Sequence, residues 1–125
     1  MKSNRIFTMA LIHVVLLSFW VATGFAAMEL PEKLSQVPVF SGSKIIQVMD
    51  MGDTSMAALE VKADRDALIK FYKDEMKGKG WKTVFQAEQE DSAVLHFMKE
   101  NKTIQISANK EEEGKLSYQM VFIGQ

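Results

Sequence analysis

The chain has 125 residues, 47% hydrophobic and 25% charged, with a formal net charge of −1 and no cysteine. Disulfides, thiolate metal sites and cysteine nucleophiles are therefore excluded. The length suits one domain with one modest core, and the near-neutral balance leaves no electrostatic footprint for nucleic acid.

Lys2 and Arg5 precede a stretch from Ile6 to Met28 whose only titratable side chain is His13, and Glu29 closes it. A positive start, an apolar middle and the small-residue end Gly24-Phe25-Ala26 predict a signal peptide over residues 1–26, cleaved after Ala26. The expected location is periplasmic or secreted. The alternative is an uncleaved inner-membrane anchor, because the 23 residues from Ile6 to Met28, at about 1.5 Å each, reach across a hydrocarbon core of roughly 30 Å. Contact with a membrane follows only if the segment is retained. Lys2 and Arg5 leave with a cleaved signal, so 13 basic residues then face 16 acidic ones, a net of −3.

Residues 27–43, "AMELPEKLSQVPVFSGS", hold both prolines and a Ser-Gly-Ser, and read as an extended leader or linker with a short turn near Glu32–Gln36. Val37, Val39 and Phe40 are available to pack on the domain edge. Residues 44–125 are expected to form a single α+β domain.

"KIIQVMDM", Lys44 to Met51, is rich in β-branched and apolar residues and reads as a strand. "MAALEVK", Met56 to Lys62, alternates, with Ala57, Leu59 and Val61 on one side. The spacer Gly52-Asp53-Thr54-Ser55 has turn chemistry, which makes the pair a hairpin. A helix follows from Asp64, an N-cap residue type, with Leu68, Phe71, Tyr72 and Met76 at three- and four-residue spacing and Ile69 widening the stripe. Gly78 or Gly80 stops it. Four more strands are predicted: "WKTVFQAE", with Trp81, Thr83 and Phe85 on one side, then "SAVLHFMKE", "KTIQISAN" and "KLSYQMVFI". The fold class is α+β, an antiparallel sheet of about six strands packed on one amphipathic helix, in the order ββαββββ. Thr103, Gln105, Ser107 and Ser117 suit a more polar, open sheet face.

"ALIKFYKDEMKGKGWK", Ala67 to Lys82, resembles the helix-then-strand segment of small exported bacterial envelope and lipoprotein-type domains, through Phe71, Tyr72, Met76, Gly80 and Trp81. "VPVFSGSKII" is similar to the segment that precedes the first strand in such domains. The resemblance implies a helix-on-sheet domain in the envelope with no catalytic residue. This chain lacks the cysteine through which the lipoprotein members are tethered.

"VMDMGDTSM", Val48 to Met56, is the densest candidate for chemistry. Thioethers are soft donors suited to Cu(I). Met49, Met51 and Met56, with His96, form the candidate metal set, against the plainer expectation of a hairpin whose methionines fill space. His96 is also the one candidate general base left after processing. There is no Gly-x-Ser-x-Gly elbow, no phosphate-binding glycine loop and no His-Glu helix motif. The expectation is a non-enzymatic domain without a resident cofactor. It binds a protein partner or small ligand of the envelope through its sheet face, where Tyr118 is a candidate contact, or through its sheet edge.

Overall fold

The computed structural model describes residues 28–124, so the expected signal segment lies outside the described residues. A 3-10 turn (Glu32–Leu34) precedes β1 (Lys44–Asp50), β2 (Thr54–Val61), α1 (Arg65–Gly78), β3 (Lys82–Glu88), β4 (Ser92–Lys99), β5 (Lys102–Glu112) and β6 (Lys115–Ile123). All six strands join one sheet in the order β1-β2-β6-β5-β4-β3, with every neighbouring pair antiparallel. The α+β class, with one helix against a six-stranded antiparallel sheet, is thus borne out. Among the described residues no helix is long and apolar enough to cross a membrane.

Period-two alternation sets the two faces of the sheet. Ala57, Leu59 and Val61 of β2, Leu95 and Phe97 of β4, and Ile104 and Ile106 of β5 are buried toward the helix. The helix returns Leu68, Ile69, Tyr72 and Met76 to the same core. Asp64 holds the N-cap position in extended backbone, but its carboxylate makes no capping bond. The helix closes through Gly80, whose φ of +89° suits glycine. Trp81 N–H donates to the Met76 carbonyl and Gly80 N–H to the Lys77 carbonyl. This paired pattern satisfies orphan carbonyls and folds buried Trp81 back beside buried Met76.

Residues 30–43 pack onto the sheet. Leu34 and Val37 are 0% and 2% exposed, and Leu30 and Phe40 pack against the same cluster. The physical reason is coverage. The helix lies over β3, β4 and β5, with Tyr72 reaching Tyr118 of β6, and the 3-10 turn packs over the rest of β2 and β6. Ser43 Oγ and Tyr118 Oη are 2.6 Å apart, and Tyr72 Oη donates to Tyr118 Oη at 3.3 Å. This hydroxyl chain ties segment, sheet and helix together.

Burial holds the Tyr72 hydroxyl well above its ordinary value of 10.0, with Tyr118 adding to the shift. The neutral phenol is favoured in the fold, so the unfolded chain gives up this proton first. Stability is unaffected by this group below pH 10.0 and falls as pH rises beyond it. Urea melts from pH 8 to 11.5 are expected to show that loss, with a shallower fall in Tyr72→Phe. Equal slopes in the two proteins would contradict it.

The candidate site on the open sheet face

Among the described residues, no helix lies on the second face of the sheet. Strand register lays it out in rows. One row runs Met49, Met56, Val121, Gln105, His96 and Phe85 across all six strands. The next runs Gln47, Ala58, Gln119, Ser107, Val94 and Ala87. Neither row contains a charged residue, although a quarter of the chain is charged. Charges lie at the ends of the face, where Lys115 Nζ meets Glu60 Oε2 at 3.3 Å and Lys82 opens β3.

Relief varies along the face. Toward the Gly52 end stand Phe85, Met98, Ile123 and Met49, exposed by 51%, 42%, 42% and 37%. Toward the Gly114 end the small side chains of Ala58, Ser107 and Ser117 floor a hollow of about 150 Å³, walled by Ile46, Asn109 and Gln119. Its polar groups are neutral hydroxyls and amides, which offer hydrogen bonds without charge.

Phe85 joins this face through a β-bulge between Thr83 and Phe85. The inserted residue reverses the alternation, so Phe85 leaves the side of Thr83, where simple period two would put it, and packs on His96 with ring centroids 5.1 Å apart. Tyr118, expected on the open face, is 1% exposed and lies on the helix side. Its neighbours Ser117 and Gln119 take the open positions instead.

The candidate metal residues separate. Met49 and Met56 are direct cross-strand partners, and Met51 sits at the exposed hairpin tip. His96 is on β4, three strand spacings from β2, or about 14 Å, so it joins no site with the methionines. The Gln105 amide donates to His96 Nε2 at 2.5 Å. Asp50, at the same tip, spends Oδ1 on the Gly52 N–H (3.2 Å) and the Ser55 hydroxyl (3.0 Å). Among the described residues no group of three or more His, Asp or Glu side chains is placed to hold a metal.

Spaces also open beside the helix. A cleft of about 340 Å³ at the helix N-terminus is lined by Asp64, Arg65, Asp66, Glu90, Asp91 and Lys110 among others. Its guanidinium is committed to the Gln89 and Glu90 carbonyls and to Asp66. Under the helix, Leu68, Ile69, Ala93, Leu95, Ile106 and Ala108 leave a gap of only about 10 Å³, about enough for one water.

A family model described as START domain-like matches residues 44–114, from β1 to the β5–β6 turn. The chain belongs to the START domain-like family. No curated protein and no solved structure matches it. The START domain-like match leaves out the 3-10 turn that supplies Leu34 and nearly all of β6, which supplies Tyr118 and Met120. In this START domain-like chain the layer between helix and sheet is filled by its own side chains. The open face is where, among the described residues, side chains are left without a covering layer.

Proposed function

We propose that this is a non-enzymatic, exported binding domain whose open sheet face is its binding surface. The observation that carries this reading is the pair of uncharged rows across all six strands, with exposed Met and Phe side chains among them and charge only at the ends. Depletion of charge with enrichment of Met and aromatics is the compositional mark of an interface core, and a charged margin is the mark of its rim. Membership in the START domain-like family supports ligand binding as the general activity.

The face is preferred to the edge. Edge strands β1 and β3 each carry a bulge, between Ile45 and Gln47 and between Thr83 and Phe85. Bulges interrupt the ladder that an added strand needs. Export rests on the positive, apolar and small-residue pattern of residues 1–26. His96 is bonded to the Gln105 amide and packs at a tilt on the Phe85 ring, and among the described residues no carboxylate bonds it to orient it as a base.

A photoreactive phenylalanine analogue at Gln119, in the hollow, is expected to give a covalent adduct when cells expressing the full chain are irradiated. The same analogue at Lys73, on the helix and off the open face, is expected to give none. Equal labelling at both positions, or none at Gln119, would contradict the reading.

A further inference from the structure

We infer that the corner of the sheet where β3 begins and β4 ends is a docking surface for an anionic lipid bilayer. The contact uses only residues of the folded domain, so it is distinct from anchoring by a retained leading segment.

Charge is the first support. Lys77 and Lys79 close α1, Lys82 begins β3, Lys99 ends β4 and Lys102 begins β5. The antiparallel order brings these termini to one end of the sheet. All five lysines are exposed, and among the described residues none forms an ion pair. The acidic side chains on the same elements there are Glu75 and Glu100. Asp50 and Asp53 belong to the β1–β2 hairpin, and β2 is three strand spacings from β4, about 14 Å. A helix C-terminus is equivalent to about half a negative charge, which accounts for one lysine rather than five. Lys99 fills that role, since its Nζ donates to the Lys79 carbonyl at 2.9 Å. Lys102 stands directly across the strands from Lys99. Like charges placed opposite each other in a sheet repel. The fold gains nothing from that pairing, and a layer of phosphates beside it relieves the repulsion.

The second support is what lies next to the charge. Lys82 is the cross-strand partner of Met98, and the bulge on β3 turns Phe85 onto the face that holds Met98. Met98, Phe85 and the neighbouring Val84 are all exposed. Cations beside projecting apolar side chains are the composition of an interfacial contact, with charge at the headgroups and apolar groups at the acyl boundary. Lys82 points to the open face, and Lys99 and Lys102 to the helix side. Their long stems let the ammonium heads meet at one level past the strand ends.

Spacing and edge chemistry select a bilayer over an acidic peptide. The starts and ends of β3, β4 and β5 lie within about 10 Å, roughly one Debye length at physiological salt, so these lysines act together on a charged layer. A peptide added as a strand needs the free edge of β3, where the bulge between Thr83 and Phe85 interrupts the ladder. A fluid surface needs neither a ladder nor a matched hollow.

The test is cosedimentation of protein purified from cells expressing the full chain with phosphatidylcholine vesicles, plain or carrying about 30% phosphatidylglycerol. Binding at least about tenfold stronger to the anionic vesicles is expected, because one lysine near such a surface is worth about fivefold. Lys79→Gln/Lys99→Gln/Lys102→Gln is expected to weaken that binding at least about tenfold, while Lys33→Gln/Lys44→Gln/Lys62→Gln, the same loss of charge elsewhere, stays within about twofold. An environment-sensitive dye on Met98→Cys is expected to brighten and shift to the blue on anionic vesicles, and the same dye on Gln119→Cys to stay unchanged. If the first triple variant melts early, the dye decides. Equal binding to both vesicle types, equal loss in the two triple variants, or an unchanged dye on Met98→Cys would each overturn the proposal. Gln119 borders the hollow at the opposite end of the face. A Gln119 crosslink without vesicle binding therefore keeps the face as a binding surface and rejects the bilayer, and vesicle binding without a crosslink does the reverse.

Discussion

A chain lacking residues 28–43 is expected not to fold. Leu34 and Val37 are buried at the level of the deepest core residues, and Leu30 and Phe40 pack partly against the same cluster. Full burial of an aliphatic side chain stabilises by about 1.5–3 kcal/mol, so these two contribute about 3–6 kcal/mol before the partly buried pair is counted. A domain of this size has a net stability of only about 5–15 kcal/mol. The deletion would also bare Ala57, Leu59, Tyr118 and the rest of the β2–β6 surface beneath the 3-10 turn, and would leave the Tyr118 hydroxyl without Ser43. The measurement is thermal unfolding followed by far-UV circular dichroism. No cooperative transition is the expected result, with Leu34→Ala alone costing about 2–5 kcal/mol. A deletion variant melting within a few degrees of the intact chain would mean that the segment is a linker after all.

Tyr118→Ala is expected to cost about 3–5 kcal/mol, the range for removing a large buried ring. That corresponds to a fall in Tm of more than about 12 °C for a domain near 100 residues. The ring is 1% exposed at the centre of the sheet, against Tyr72 with centroids 5.9 Å apart. Tyr118→Phe isolates the hydroxyl and is expected to cost only about 0.5–1.5 kcal/mol. Ser43→Ala removes the other end of the 2.6 Å contact. Because both substitutions break one bond, the double variant is expected to lose less than the sum, by at least about 0.5 kcal/mol. Strict additivity would show that the hydroxyl chain does not couple the N-terminal segment to the sheet.

Much of this architecture could be read from residues in order. Alternation in "MAALEVK" and the turn residues before it mark the hairpin, and the stripe from Leu68 to Met76 marks the helix. Three features could not be read, each for a physical reason. A bulge adds one residue without a composition of its own, so period two sets Phe85 beside Trp81 and Thr83, whereas the structure places it on the open face. A tyrosine suits either face, since its ring can bury while its hydroxyl bonds, and Tyr118, expected at the open face, is buried on the helix side where period two sets it opposite Ser117. The apolar residues Leu30, Leu34, Val37 and Phe40 recur every three or four positions, but Pro31 and Pro38 break the helical pattern that this spacing otherwise signals. Their burial follows from a bare patch on the sheet, which is visible only once the sheet is assembled.

The candidate site was legible in part for the same reasons. Thr103, Gln105, Ser107 and Ser117 do lie on the open face, as their alternation suggested. The methionine-rich stretch proves to be a hairpin tip whose Asp50 serves the turn, while Met49 and Met56 extend the apolar row of the face. The charge-free rows themselves are a property of register, and no single strand displays them.

The central claim is that the open face is covered when the protein is at work. The chain has no cysteine, so one introduced thiol is a clean reporter. Met98→Cys, exposed on that face, would be compared with Lys73→Cys on the helix for maleimide labelling, in intact cells and in dilute purified protein. Strong protection of the Met98→Cys thiol in cells, lost on dilution, with Lys73→Cys labelled equally in both, is the expected result. A Met98→Cys thiol that reacts as fast in cells as in dilute solution would contradict the account.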